Sequence, residues 1–212
     1  MYHFHIADDH PLFRKALLEI IYQRYPGATV EESSDLESTL DALDTCDTDL
    51  LLLDLHMPGS QDLFGLMSIR EKHPTVPVVV VSASDSDTVV SRAIHYGASG
   101  FIPKSSSTES IYSAIKKVIN GESCIPEHVD ISRRQISEQE KGLAAKINAL
   151  TPQQYRVLCY LREGWLNKQI AYKMNITEAT VKAHITVVFK KLGVNNRTQA
   201  VIELGQFSST PM

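Results

Sequence analysis

The chain has 212 residues, 43% of them apolar and 22% charged, with a net charge of −4. These proportions exclude a disordered or fibrous chain, and no apolar run approaches the roughly 20 residues needed to cross a bilayer. The N-terminus, MYHFHIADDHP, has no basic start or apolar signal core, and the three cysteines (Cys46, Cys124, Cys159) form no CxxC pair, so a reduced, cytoplasmic protein with no membrane partner is expected. The small net charge hides an asymmetry. Residues 1–125 carry 18 acidic and 9 basic groups, whereas residues 150–212 carry 3 acidic and 8 basic ones. An acidic front and a basic tail predict two domains facing different partners, the second a polyanion.

In chain order, short apolar runs predict strands at 2–8, 29–34, 49–55, 76–83 and 100–104. Helical spacing fills the intervals at 11–25, 35–44, 62–72, 88–97 and 107–121, with Phe13, Ala16, Leu17, Ile20 and Ile21 as the stripe of the first helix. The LLLL and VVVV runs lack alternation, which suits parallel strands buried on both faces. Five β/α repeats make residues 1–121 a doubly wound α/β domain around a five-stranded parallel sheet. Residues 122–149 show no strand pattern, and the helix-compatible stretch RRQISEQEKGLAAKINA has only a thin apolar stripe, so the segment reads as a linker. Residues 150–212 hold four helical segments, with Gly164, Asn175 and Gly193 at their ends, and form a small all-α domain.

Asp8 and Asp9 fall at the end of the first predicted strand and Asp54 near the end of the third. In an open parallel sheet, ligands bind outside the carboxyl ends of the strands where the winding reverses, between strands 1 and 3 in the flavodoxin-like order. Converging carboxylates repel unless a cation joins them, and hard oxygen donors favour Mg²⁺. Ser82 ends the fourth strand, and Lys104 follows Pro103 at the end of the fifth. A carboxylate, a divalent cation, a hydroxyl and an ammonium together suit phosphoryl transfer, with Asp54 as the nucleophile of an acyl phosphate. Singly, each group has a plainer reading: an acid pair before His-Pro is a cap, and Pro103–Lys104 is a turn. Their joint order at strand ends carries the reading. The histidines His3, His5, His10 and His56 favour no zinc site, because alternation makes His3 and His5 side-by-side surface or packing residues. His56, two residues past Asp54, is placed to influence an attacking water.

Asp8–Asp9, Asp54 within LLLDLHMPG, Ser82–Ala83 and the run from Phe101 to Lys104 resemble a bacterial response-regulator receiver domain, over roughly residues 2–121. The resemblance implies that Asp8 and Asp9, with Asp54, hold Mg²⁺, and that Asp54 accepts phosphate from a sensor histidine kinase. It also implies that Ser82 and Lys104 bind the phosphoryl group while Phe101 turns inward as the switch aromatic. Asp62 departs from the family, which usually has glycine in the loop after MPG. A phosphatase of the haloacid-dehalogenase type also uses an aspartyl phosphate, but it wants a second aspartate where this chain has His56.

The tail resembles the LuxR-type helix-turn-helix of NarL/FixJ response regulators over residues 150–202, on NKQIA, TVKAH and KLGVNNRTQA. Gln154 replaces the usual glutamate of the opening LTxxE pattern. Leu166 replaces the usual Ser/Thr N-cap, with Asn167 as the expected substitute. The residues alone agree on the reading helix. Behind an N-cap at Thr177, Val181, Ile185, Val188, Phe189 and Leu192 share one arc at about 100° per residue, which must be core. Lys182, Ala183, Thr186 and Lys190 share another arc, free of carboxylates, that suits the major groove. Lys182 and Thr186 are expected on bases or phosphates, and Ala183 on a thymine methyl. Lys168, Lys190, Lys191 and Arg197 are expected on phosphates, with His184 structural.

The two resemblances together imply a two-component transcription regulator that is no enzyme beyond catalysing its own phosphorylation and dephosphorylation. The implied partners are a sensor histidine kinase, a double-stranded DNA operator and, once phosphorylated, a second copy of the chain, with RNA polymerase a further candidate. One helix-turn-helix reads few base pairs, so a homodimer on two half-sites is expected.

Overall fold

The computed structural model describes residues 1–60, 63–130 and 138–207. The chain divides into two compact units, Met1–Gln135 and Ile136–Met212. In the first, strands β1 (His3–Ala7), β2 (Thr29–Ser33), β3 (Leu50–Asp54), β4 (Val78–Ser82) and β5 (Gly100–Pro103) form one sheet in the order β2-β1-β3-β4-β5. All pairings are parallel. The strands alternate with α1 (Pro11–Arg24), α2 (Leu36–Thr45), α3 (Phe64–Lys72), α4 (Asp87–His95) and α5 (Thr108–Ile119). This is the doubly wound fold expected from the sequence.

Burial explains which strands read clearly. All five residues of LLLLD in β3 and of VVVVS in β4 are buried, because helices cover both faces of these inner strands. Edge strand β2 (TVEES) buries only Ser33, so its sequence signal is weak. The strands stop one or two residues short of the apolar runs because the chain turns away to form the loops that carry the polar groups. Pro11 opens α1, where its missing N–H costs nothing. In α1 Leu17, Ile20 and Ile21 are buried and Phe13 is half-buried, but Ala16 is exposed and Leu18 takes its place against the core. Side-chain caps start α2 at Asp35, α4 at Ser86 and α5 at Ser107.

The segment 122–149, read as a linker, is more structured than its pattern suggests. Cys124 makes a parallel bridge with Gly100, and Val129 is 8% exposed. Residues Glu138–Asn148 form α6, whose Leu143, Ala144 and Ile147 are buried. A stripe of three small or medium side chains is thin, but it is enough to seat one face of a helix on a neighbour. The second unit therefore holds five helices among its described residues rather than four: α6, α7 (Pro152–Arg162), α8 (Asn167–Met174), α9 (Glu178–Leu192) and α10 (Arg197–Phe207). Val157, Leu161, Ile170, Ala171 and Val181 form its core. Asn175 (φ 54°) and Gly193 (φ 72°) close α8 and α9 in the left-handed conformation, as C-caps.

Candidate functional site

The sheet order puts the winding reversal between β1 and β3, and the acidic groups gather at the carboxyl ends of those strands. Asp8 and Asp54 are 1% and 2% exposed, and one ligand atom each from Asp8, Asp9, His10 and Asp54 lies within 4.8 Å of the others. Lys104, just past β5, places its Nζ 2.7 Å from Asp8 Oδ2 and 3.0 Å from Asp54 Oδ2. Burial pushes the Lys104 pKa down, but hydrogen bonds and charge attraction from Asp8 and Asp54 outweigh it and leave the pKa raised, so the ammonium is fixed. Asp54 Oδ1 accepts the His56 N–H at 3.2 Å. Ser82 is fully buried at the end of β4, its Oγ accepting the Ser84 N–H at 3.2 Å. Phe101 is 2% exposed, already turned into the core beside its strand partner Val80. Asp62 lies outside the described residues.

Three residues of this site escape the sequence reading. His10 Nδ1 stands 2.7 Å from Asp9 Oδ1, 3.2 Å from Asp8 Oδ1 and 3.9 Å from Asp54 Oδ2. Arg14 donates to the Asp8 carbonyl at 2.6 Å, fixing the backbone of the acid pair. Lys104 Nζ lies 5.0 Å from the centre of the Phe13 ring. An open depression of about 480 Å³ lies over Asp54, lined by Leu12, Phe13, Ala16 and Ala83 with the polar groups.

The donor set fits a hard divalent cation. Three carboxylates face one ammonium, so the cluster keeps an excess of negative charge and several oxygens of Asp8, Asp9 and Asp54 with lone pairs to spare. Spare carboxylate oxygens gathered at one point match the oxygen-rich, partly hydrated shell of Mg²⁺.

In the second unit α9 shows the expected division. Val181, Val188 and Leu192 are buried and Ile185 and Phe189 are half-buried, while Lys182, Ala183, Thr186 and Lys190 are exposed. Thr177 caps the helix by accepting the Thr180 N–H at 3.1 Å. Thr186 Oγ1 donates back to the Lys182 carbonyl, so its lone pairs still face outward. Lys168 on α8 is exposed as well.

Two residues expected on phosphates have other work. Lys191 Nζ donates to the Ala149 carbonyl at 2.6 Å and to Gln154 Oε1 at 2.9 Å, tying the end of α9 to the start of α7. Arg197 donates to the carbonyls of Leu161 (2.9 Å) and Trp165 (2.9 Å), pinning the start of α10 to the end of α7 and the turn that follows it. Gln154 completes a capping box with Thr151 despite replacing glutamate. Leu166, not Asn167, sits at the N-cap of α8. It offers no acceptor, and only the reverse bond, Leu166 N–H to Gln169 Oε1 at 2.7 Å, remains.

Comparison with known proteins gives this geometry its class. Residues 4–116 match the response regulator receiver domain, and residues 148–204 match the luxR family of bacterial regulatory proteins. The chain therefore belongs to the NarL/FixJ response regulators, which join a receiver to a LuxR-type DNA-binding domain. It is a DNA-binding transcription regulator of a two-component system rather than a metabolic enzyme. It is 44% identical to the glycerol metabolism activator of Pseudomonas putida, over 99% of this chain and 98% of that one. It is 34% identical to the nitrate/nitrite response regulator NarP of Escherichia coli K12, covering 93% of this chain and 91% of that one. The solved structure of the Salmonella typhimurium response regulator RcsB shares the fold, with a TM-score of 0.55 at 24% identity over 97% and 98% of the two chains. Among the described residues no helix is long and apolar enough to cross a membrane.

Proposed function

We propose that Asp54 is the phosphoacceptor, that Asp8, Asp9 and Asp54 hold Mg²⁺, and that Ser82 and Lys104 bind the phosphoryl group. The observation that carries this is Lys104 Nζ bridging Asp8 and Asp54 at 2.7 and 3.0 Å, inside a buried carboxylate cluster at the winding reversal. An Asp54 carboxylate oxygen attacks phosphorus, the P–N bond to the kinase histidine breaks, and the imidazole takes up a proton as it leaves. His56 N–H and Lys104 hold Asp54 in place for in-line attack on a phosphoryl group entering the open depression above it. When bound, Mg²⁺ supplies neutralisation of charge on the phosphoryl oxygens. Phe101 is the switch aromatic, and the buried Ser82 hydroxyl reports phosphorylation to the loop after β4.

In the DNA-binding unit, Lys182, Ala183 and Thr186 read base edges and Lys190 and Lys168 hold phosphates of an operator. The phosphorylated protein acts as a homodimer on two half-sites in the cytoplasm, with a sensor histidine kinase upstream and RNA polymerase as the further partner. The domain limits that serve this reading are a receiver to residue 121, a connecting segment over 122–149 whose helix α6 packs into the second unit, and a DNA-binding region from 150. Acetyl phosphate with Mg²⁺ should add one phosphoryl group to the wild type, and chelating Mg²⁺ should abolish it. Asp54→Asn should add none; full labelling of that variant at another residue would refute the assignment.

A further inference from the structure

Strand β5 is the outer edge of the sheet, and such an edge leaves backbone N–H and C=O groups open unless something covers them. Here the segment after α5 covers it. Cys124 N–H donates to the Ser99 carbonyl at 3.2 Å, and its own carbonyl accepts the Phe101 N–H at 2.8 Å. The approach is so close that a Cβ on Gly100 would meet Cys124 O at 3.1 Å and Cys124 Cβ at 3.2 Å. A side chain at 100 would therefore push the strap away by a few tenths of an ångström. Beyond it, Val129 N–H turns back to the Pro126 carbonyl at 3.0 Å and Val129 is buried. His128 Nε2 lies 3.3 Å from the Asp85 carbonyl and, facing an acceptor, is the donor.

We infer that residues 122–130 are a strap clamped at both moving parts of the receiver, and that phosphorylation of Asp54 opens it. This inference rests on the reading of Asp54, Ser82 and Phe101 given above. One clamp is the backbone of Phe101 itself. The other is Asp85, three residues past Ser82, on the loop between β4 and α4. A phosphoryl group that draws the Ser82 loop toward Asp54 carries the Asp85 carbonyl away from His128. The same pull passes from β4 to its neighbour β5 through their ladder and the Lys104 N–H to Ser82 carbonyl bond, and disturbs the Cys124 carbonyl that the Phe101 N–H grips. Because the strap continues directly into the chain that leads to the second unit, opening it lengthens the tether by part of a covalent segment. That couples the units without requiring a docking face between them.

Hydrogen–deuterium exchange on the full chain tests this, with beryllium fluoride and Mg²⁺ as the phosphoryl mimic and acetyl phosphate labelling of Asp54 measured on the same preparation. Peptides covering 122–130 should exchange roughly tenfold faster with the mimic, as expected when a protecting hydrogen bond is lost. His128→Ala, a change at an exposed side chain, should show raised exchange there without the mimic while Asp54 labels at the wild-type rate. Gly100→Ala should do the same if it folds, but His128→Ala decides. A labelled protein whose strap exchanges identically with and without the mimic overturns the strap and leaves the phosphoacceptor standing. A protein that takes no phosphoryl group at Asp54 overturns both.

Discussion

In the receiver, the ionisable groups that matter are inside: Asp8 and Asp54 are almost fully buried and share one lysine. In the DNA-binding unit, the lysines of the outer face of α9 stand in solvent, with no carboxylate along that helix after Glu178. Buried charges must be satisfied within a few ångströms, so their neighbours define a chemistry before any partner arrives. Exposed charges are stable in water alone, and their geometry is completed only by the polyanion they meet. The receiver is thus an organised site, whereas the DNA face is a permissive one, and substitutions should act differently on the two.

The largest effect should come from Lys104. Lys104→Met leaves buried carboxylates without their ammonium and should cost about 3–5 kcal/mol in metal-free urea unfolding. Millimolar Mg²⁺ should recover part of that loss, because a ligand that binds only the folded state stabilises it. An unchanged urea midpoint would mean that the cluster is hydrated and that the contrast between the units fails. Next, Leu158→Ala in the fully buried centre of α7 should cost about 2–5 kcal/mol in the second unit while leaving Asp54 labelling intact.

The exposed face should respond more mildly and in two distinct ways. Lys182→Ala should relax base preference by about 1–3 kcal/mol, measured by competition among variant duplexes. Lys190→Ala should weaken all duplexes alike and flatten the salt dependence by about one unit. Arg197→Ala should instead destabilise the unit by about 1–3 kcal/mol by taking the donor from the Trp165 carbonyl and the tie between α10 and the end of α7, with the salt slope unchanged. A loss of one unit of slope in Arg197→Ala would return that residue to the phosphate backbone.

The smallest effect concerns His5. It is 1% exposed and bonded to Ser33 Oγ at 2.8 Å, and Ser33 Oγ in turn meets Thr39 Oγ1, which donates to the Asp35 carbonyl. Each hydroxyl proton is thereby committed, so Ser33 must accept from His5 Nε2–H and Nδ1 is left as the basic nitrogen. Burial lowers the His5 pKa below its ordinary 6.5, opposed by Glu31. The unfolded chain then binds the proton first, so the stability His5 contributes is present above about pH 6.5 and is lost as pH falls through the folded-state value. Urea midpoints from pH 7.5 to 5 should fall for the wild type and fall less for His5→Gln. Parallel curves would remove His5 from the pH response.

What could be read from sequence follows the same divide. Asp8, Asp9, Asp54, Ser82 and Lys104 were legible because each marks a strand end, and one sheet order brings strand ends together. His10, Phe13 and Arg14 were not, because their place depends on how α1 folds back over β1. The intramolecular bonds of Lys191 and Arg197 are not legible in the sequence, because their acceptors Ala149 and Leu161 lie 42 and 36 residues away, which no local pattern displays. The helix α6 reads only as a helix-compatible linker, because three apolar positions make a weak stripe until neighbours are there to bury it. His5 and His3 share a face of β1 as alternation requires, yet only the structure separates them: His5 is buried, and His3 is exposed beside Thr29.

The central claim is that an organised buried site governs a permissive exposed one. It is tested most directly by operator affinity of one full-length preparation before and after acetyl phosphate and Mg²⁺, on DNA selected from a random-sequence pool by the phosphorylated protein. Sedimentation of the same samples gives the oligomeric state. The wild type should bind more tightly and as a dimer once phosphorylated, and Asp54→Asn should not change in either respect. A stoichiometrically phosphorylated wild type with unchanged affinity and unchanged mass would contradict the claim.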